Sequence, residues 1–300
     1  MSTKKRHDIG LDQLNAIADI AMAKMRAIIE GRHDGDEVVR DGVAFGDGDE
    51  DVEIAADRML GNVLRKNIAR ANAPISRISV EGFEDMCDDT SGQWVCVDPL
   101  DGSLNFQTRS GTIGLPHSLV VTILGVDENA CFSDITAGLI MDYRTGQRWI
   151  ALPGPGEGPS YITVTRSGDD GAVEERVWTA SPDTFDLGRQ IVFGEMYYPE
   201  NRERLCKAFA GERGWLRNPG SAGYEMAMVA NGMAVGYACN TQKQHELGAA
   251  YAIVRGAGGV VTDLCGESLD HRPFTFHKKT PVILAANETV HSSLVCRLSQ

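Results

Sequence analysis

No run of apolar residues approaches the ~20 needed to cross a membrane as a helix, and no Cys-x-x-Cys pair occurs anywhere. The seven cysteines, Cys87, Cys96, Cys131, Cys206, Cys239, Cys265 and Cys296, are odd in number and scattered. That pattern excludes a disulfide framework and a structural zinc site, and they read as reduced thiols. Positive charge is scarce: 29 Lys and Arg against 42 Asp and Glu leave a net charge of −13, a field that repels polymeric nucleic acid and anionic membrane surfaces. The basic tract Lys4-Lys5-Arg6 reads as a solvated terminus. It leads into an amphipathic segment rather than the apolar core of a secretion signal, so a cytoplasmic location is expected. There is no internal repeat. What remains is an ordinary globular composition, 42% apolar and 24% charged, on a chain of 300 residues that can bury a large core. A chain this acidic that handles an anionic substrate needs local positive charge, and a bound divalent cation is one source.

Apolar residues at helical spacing (Leu11, Leu14, Ile17, Ala18, Ala21, Met25, Ile28) predict a first helix ending near Gly31. A Gly- and Asp-rich loop from His33 to Asp51 precedes a second helix over about Val52 to Ala71. Within that loop, Asp47-x-Asp49-x-Asp51 lacks the glycine and closing Glu of a calcium loop and reads as solvated. Short β-type runs follow at Ile75–Val80, Trp94–Val97, His117–Gly125, Ala137–Asp142 and Arg148–Ala151. The turn-rich connector Leu152-Pro-Gly-Pro-Gly-Glu-Gly-Pro159 marks a boundary between an N-terminal α+β lobe, 1–152, and a C-terminal α/β lobe, 153–300. In the second lobe, β-type segments at Tyr161–Thr165, Val177–Ala180, Val260–Thr262 and Val282–Ala286 alternate with helical ones at Glu200–Ala210, Ala222–Asn231 and Glu246–Gly256. Such alternation indicates α/β layering.

The densest chemical signal is Trp94-Val-Cys-Val-Asp98-Pro-Leu-Asp101-Gly-Ser103-Leu-Asn105-Phe106, an apolar strand ending in two carboxylates across a proline-directed turn. Asp-Pro and Asp-Gly are common turn formers, so the two acids alone are ambiguous. Two oxyanions held together with no adjacent Lys or Arg repel each other; bound divalent cations are one way to compensate that repulsion, and magnesium fits oxygen ligands of this type. Gly102 lets backbone approach an anion closely, and Ser103 supplies a hydroxyl and an N–H at the start of a short helix.

The segment from Asp98 to Phe106 resembles the signature of the inositol monophosphatase superfamily, the lithium-sensitive phosphatases that include fructose bisphosphatases and phosphoadenosine phosphatases. Ile54-Ala-Ala-Asp57-Arg58 and Ile78-Ser-Val-Glu81 resemble its upstream motifs. Gly220-Ser-Ala-Gly223, Ala230 to Tyr237, Glu246 to Gly259 and Ile283 to Asn287 follow in the family's order and spacing. The resemblance implies an αβαβα sandwich of the sugar-phosphatase type and a homodimer. It also implies a phosphomonoesterase acting on a small phosphorylated metabolite such as inositol monophosphate, with two or three magnesium ions. It makes Asp98 the bridging metal ligand, with Glu81, the Leu100 carbonyl, Asp101 and Glu246 completing two sites. Asp57, Glu81 and Ser103 would orient the attacking water, and Gly102, Ser103, Ser221 and Cys239 would meet the substrate.

The chain departs from the family pattern at several positions. Two adjacent acids are replaced by Glu81-Gly82, leaving Glu84 or Asp85 to supply a second carboxylate. A Trp-Asp pair is replaced by His245-Glu246, a ligand longer by one methylene, and the sugar-binding Glu is replaced by Cys239, a weak hydrogen-bond partner. Lys243 in the same loop suits either a second negative charge on the substrate or plain solvation. The alternatives are therefore a fructose-1,6-bisphosphate or phosphoadenosine phosphate phosphatase, or a non-catalytic relative that binds a ligand.

Overall fold

The computed structural model describes residues 8–31, 55–71, 73–88, 91–109, 114–126, 128–153, 159–168, 171–176, 186, 188–211 and 215–299. The Asp47 to Asp51 run and the Val177–Ala180 segment lie outside them. In chain order the elements are α1 (Leu11–Ile29), α2 (Ala55–Ile68), β1 (Ile75–Val80), β2 (Met86–Cys87), β3 (Gln93–Asp101), α3 (Ser103–Gln107), β4 (Ser118–Leu124), β5 (Ile135–Asp142), β6 (Arg148–Pro153), β7 (Pro159–Gly168) and β8 (Gly171–Arg176). They continue with β9 (Ile191–Gly194), α4 (Pro199–Ala208), β10 (Trp215–Arg217), α5 (Ala222–Ala230), β11 (Gly236–Lys243), α6 (Gln244–Gly256), β12 (Val260–Thr262), β13 (Lys279–Ala285) and α7 (Glu288–Leu298).

These elements stack as five layers, αβαβα. The periodic apolar faces of α1 (Leu14, Ile17, Ala21, Met25) and α2 (Met59, Leu60, Leu64) bury against one side of an eight-stranded sheet ordered β2-β1-β3-β4-β5-β6-β7-β8. Residues alternate across a strand, so Val95 and Val97 of β3 join that core while Trp94 and Cys96 face the opposite one. On that opposite side lie α5 and α6, sandwiched against a five-stranded sheet ordered β10-β9-β11-β13-β12. A helix between two sheets is buried all round, and every residue of α6 from Gln244 to Val254 is, apolar from Leu247 onward with the polar Gln244, His245 and Glu246 in its first turn. Its approach to the first sheet is close enough that a Cβ on Gly248 would fall 2.6 Å from the Thr122 methyl. The outer face of the second sheet is covered by α4 and α7. Both sheets are mixed, with β1 and β3 parallel in the first and β9 parallel to β10 and β11 in the second.

The first sheet continues past the connector at 152–159 through β7 and β8, so a division drawn by sheets falls between Arg176 and Ile191. Among the described residues no helix is long and apolar enough to cross a membrane.

Candidate metal centre

Two parallel strands end side by side. Val80 of β1 pairs with Val97 of β3, and the Glu81 N–H donates to the Val97 carbonyl at 3.0 Å, so Glu81 and Asp98 emerge together. In an unbroken strand Asp98 and Asp101, three apart, would point to opposite faces. The ladder to β4 is irregular here: Asp98 pairs with Val120 but Asp101 with Ser118, so Pro99 and Leu100 of β3 oppose the single residue Leu119 of β4. This one-residue bulge brings the second acid to the side of the first. Pro99, with no N–H to give the ladder, stands within the bulge, and its carbonyl accepts from the Tyr143 hydroxyl at 2.7 Å. The Leu100 N–H turns back to Asp98 Oδ1 at 2.9 Å.

The third acid arrives from the other sheet. β11 runs directly into α6, and Glu246 stands in the first turn of that helix, buried. One carboxylate oxygen from each of Asp98, Asp101 and Glu246 lies within 4.8 Å of the others. So do ligand atoms of Glu81, Asp98 and His245, which makes Asp98 common to both groups. Burial, then repulsion from Glu81, Asp101 and Glu246, pushes the Asp98 carboxyl well above the usual carboxylate range. Glu246 is pushed up to about 8 by burial and the nearby acids, against the opposing pull of Lys243. Buried carboxylates in mutual repulsion with oxygens this close are a donor set that fits a divalent cation.

Asp101 is anchored by four hydrogen bonds. Ser118 Oγ (2.8 Å), Ser221 Oγ (2.6 Å) and the Gly223 N–H (2.8 Å) donate to Oδ2, and the Ala222 N–H (3.1 Å) donates to Oδ1. Asp101 thus satisfies the orphan amides at the N-terminus of α5, and Ser221 reaches Asp101 rather than capping its own helix. Burial still leaves its pKa raised, because these bonds offset only part of the desolvation. Gly102 adopts the left-handed conformation (φ +85°), and a Cβ there would lie 3.1 Å from the carbonyls of Gly220 and Pro116. Glycine is what the approach between these loops requires. Asn105 ties them by donating to Pro116 (2.6 Å) and Pro219 (2.8 Å) carbonyls.

Asp57, in the first turn of α2, lies 3.2 Å through Oδ2 from Ser103 Oγ, which is also 2.9 Å from the Leu100 carbonyl. The single hydroxyl proton serves one acceptor at a time. Cys239 is buried in β11; its thiol accepts from the Thr241 N–H (3.3 Å) and Asn201 Nδ2 (3.7 Å), and burial pushes it up to about 12. Gly82 has φ +78°, a left-handed turn that disfavours an acid side chain at that position. Of the two nearby acids, Glu84 is exposed and Asp85 is held by Arg77.

Two cationic side chains partner the acids, and no local sequence pattern marks them for that role. Lys243 Nζ sits 2.7 Å from Glu81 Oε1 and 4.0 Å from Glu246 Oε1. His245 Nε2 lies 3.6 Å from Glu81 Oε2 and 3.9 Å from Glu246 Oε1. Burial opposes ionisation of Glu81, but His245 and Lys243 outweigh it and hold the carboxyl well below its ordinary value. The β11–α6 junction places both residues beside the end of a distant strand, Lys243 being 162 positions from Glu81, a closure that local pattern does not reveal.

Glu225, buried on α5, accepts from the Gly220 N–H at 2.8 Å through Oε1, while Oε2 is buried without a partner. Burial, and then the Asp101 charge, lifts its carboxyl well above 4.5. A folded-state value above the unfolded one means that the protonated form stabilises the fold. That contribution is complete below about pH 4.5 and is lost as pH rises through the folded value. Glu225→Gln is therefore expected to stabilise the chain by about 1–3 kcal/mol at pH 8 and by little at pH 4.5. Urea unfolding at the two pH values measures this, and equal effects at both would contradict it.

The family model described as the inositol monophosphatase family matches residues 11–300. Inositol-1-monophosphatase ImpA of Mycolicibacterium smegmatis is 28% identical over 237 residues, 77% of this chain and 76% of that protein. Nus factor SuhB of Escherichia coli K12 is 27% identical over 221 residues, 72% of this chain and 71% of that one. The crystal structure of the extragenic suppressor protein suhB from Bartonella henselae superposes with a TM-score of 0.71 at 21% identity, covering 97% of this chain and 99% of that one, a likeness of fold.

Proposed function

Because the chain belongs to the inositol monophosphatase family, we propose that it hydrolyses a small soluble phosphate monoester, such as inositol monophosphate, with magnesium. Glu81, Asp98, the Leu100 carbonyl, Asp101 and Glu246 would hold two ions, and a third, weaker one would lie toward Asp57. The observation that carries this reading is the meeting of Asp98 and Asp101, from β3, with Glu246, from the first turn of α6, all buried with their oxygens within 4.8 Å. No packing requirement gathers three buried acids in this way, and with all three ionised their mutual repulsion is unfavourable unless a cation is shared. When bound, the metal supplies positive charge to the phosphate oxygens and lowers the pKa of the attacking water.

The chain's own residues do the rest. Asp57 and Ser103 lie at one edge of the acid cluster, where the carboxylate accepts a proton from water and the hydroxyl, shared with Leu100, orients it. Gly102 and Ser103 offer backbone close to the cluster with no side chain interposed. Ser221 acts by positioning Asp101, to which its hydroxyl is bonded. Cys239 would border the substrate where a sugar hydroxyl is read, and a thiol there disfavours a tight polyol contact. Lys243 offers positive charge for a second anionic group, the feature that favours a bisphosphate or phosphoadenosine phosphate as the alternative substrate class. A homodimer and a cytoplasmic location accompany this reading.

A panel of phosphate monoesters and bisphosphates assayed with and without magnesium tests it. Phosphate release that requires millimolar magnesium, with lithium and calcium inhibitory, is the expected result. Full release in excess EDTA contradicts the metal reading. No release from any ester favours the non-catalytic relative, a reading consistent with the resemblance to a Nus factor.

A further inference from the structure

His245 is the most buried member of the acid cluster, with no exposed surface at all, yet its Nε2 has no hydrogen-bond partner. The ring is not free to turn away from the acids. Nδ1 lies 2.6 Å from the Phe276 carbonyl, which can only accept, so Nδ1 carries the proton. The Phe276 ring stacks on the imidazole at 4.6 Å, and the His277 ring meets it edge-on at 5.7 Å. In the neutral ring, Nε2 therefore presents a lone pair to Glu81 Oε2 at 3.6 Å and Glu246 Oε1 at 3.9 Å, distances at which no direct hydrogen bond forms.

In the metal-free chain a proton on Nε2 makes the ring the cationic partner of these acids, and because a metal-ligating histidine must be neutral, a bound cation takes that proton's place between the imidazole and the carboxylates. The ligand atoms of Glu81, Asp98 and His245 lie within 4.8 Å of one another, and donors about 2.0–2.2 Å from a shared ion are separated by roughly 3–4 Å, so small side-chain shifts close the site. An Nδ1–H donated to a backbone carbonyl is also the arrangement that fixes the tautomer and orientation of metal-ligating histidines. Lys243 does not block the position, because it bonds Glu81 through Oε1 and leaves Oε2 facing the imidazole.

We propose that His245 is a nitrogen ligand of the first metal position, which it forms with Glu81 and Asp98 and which selects a first-row transition ion such as Mn2+, Co2+ or Zn2+ over Mg2+. The inference rests on the acid cluster being a metal centre. Imidazole nitrogen suits these ions, whereas magnesium is served by oxygen, so a single side chain moves the preference of this position. The position formed by Asp98, Asp101 and Glu246 keeps an all-oxygen donor set.

Pulsed EPR on the full chain loaded with Mn2+ tests this directly. The wild type is expected to show nitrogen modulation that changes when its histidines are 15N-labelled and is absent in His245→Phe, which retains a ring against Phe276. By calorimetry, His245→Phe and His245→Gln are each expected to weaken Zn2+ binding at least ~10-fold while changing Mg2+ affinity less than ~3-fold. If the variants do not fold, the labelled and unlabelled wild-type proteins still decide the question. An all-oxygen Mn2+ spectrum, or Zn2+ affinities unchanged in both variants, overturns the proposal. Magnesium-dependent phosphate release together with an all-oxygen spectrum sinks this inference alone. Nitrogen coupling in a chain that releases no phosphate supports it and sinks the phosphatase reading instead.

Discussion

Asp98→Asn is expected to lower magnesium-dependent phosphate release by about 10³-fold or more while leaving the metal-free protein as stable as the wild type, or more so. Asp98 belongs to both candidate ligand groups, so one substitution removes charge from both proposed metal positions. The fold does not depend on that charge. Burial and three neighbouring acids favour the neutral carboxyl in the metal-free chain, and an asparagine differs from it by little in volume. Its amide oxygen still accepts from the Leu100 N–H, preserving the turn through Pro99. Thermal melting with and without magnesium separates the two effects. The wild type should gain stability as the metal binds the native state, and the variant should gain much less. A folded variant with near wild-type release would remove Asp98 from the site.

The parts of this centre that were legible beforehand are those written in contiguous residues. The strand of β3, its proline and its two acids stand in one stretch, and the helical spacing of α1 gives its buried face residue by residue. The bulge that makes Asp98 and Asp101 neighbours is foreshadowed by Pro99, but its register is set by pairing with β4 and becomes visible only in the ladder. Gly82 shows the limit differently. As a missing acid it looked like a loss, whereas its left-handed backbone is the turn that ends β1 and leaves Glu81 beside Asp98. The second sheet was harder to read. β9 is four residues long and β11 carries Gln, Asn and Lys among its eight, so neither alternates clearly, and both are identified by their pairing with distant strands. α7 is capped by Asn287, which accepts from the Val290 N–H, a capping residue that stands in the sequence at the end of the segment Ile283 to Asn287.

The substitution of His245-Glu246 for a Trp-Asp pair is where the same reasoning has the most to lose, and Glu246 tests it. An acid in the first turn of a helix is favoured by the dipole alone, by about 0.3–1 kcal/mol at an exposed position. Glu246 is not exposed: it is buried, it accepts from Gln242 through Oε2, and Oε1 points toward Lys243 and His245. Dipole stabilisation of that size does not offset burying a carboxylate, which costs several kcal/mol unless it is paired or shares a cation. If the cation is magnesium, Glu246→Gln should weaken its binding at least ~10-fold and slow phosphate release by roughly two orders of magnitude, since an amide oxygen of similar reach carries no charge. Glu246→Asp keeps the charge but draws it back by one methylene, toward the ligand length usual in the family, and should hold or raise magnesium affinity. Charge and reach are thereby separated in two variants. Magnesium titrations of phosphate release for the wild type and both variants provide the measurement. Three superimposable curves would take Glu246 out of the metal centre and leave the compensation of its charge to Lys243, His245 and the Gln242 amide.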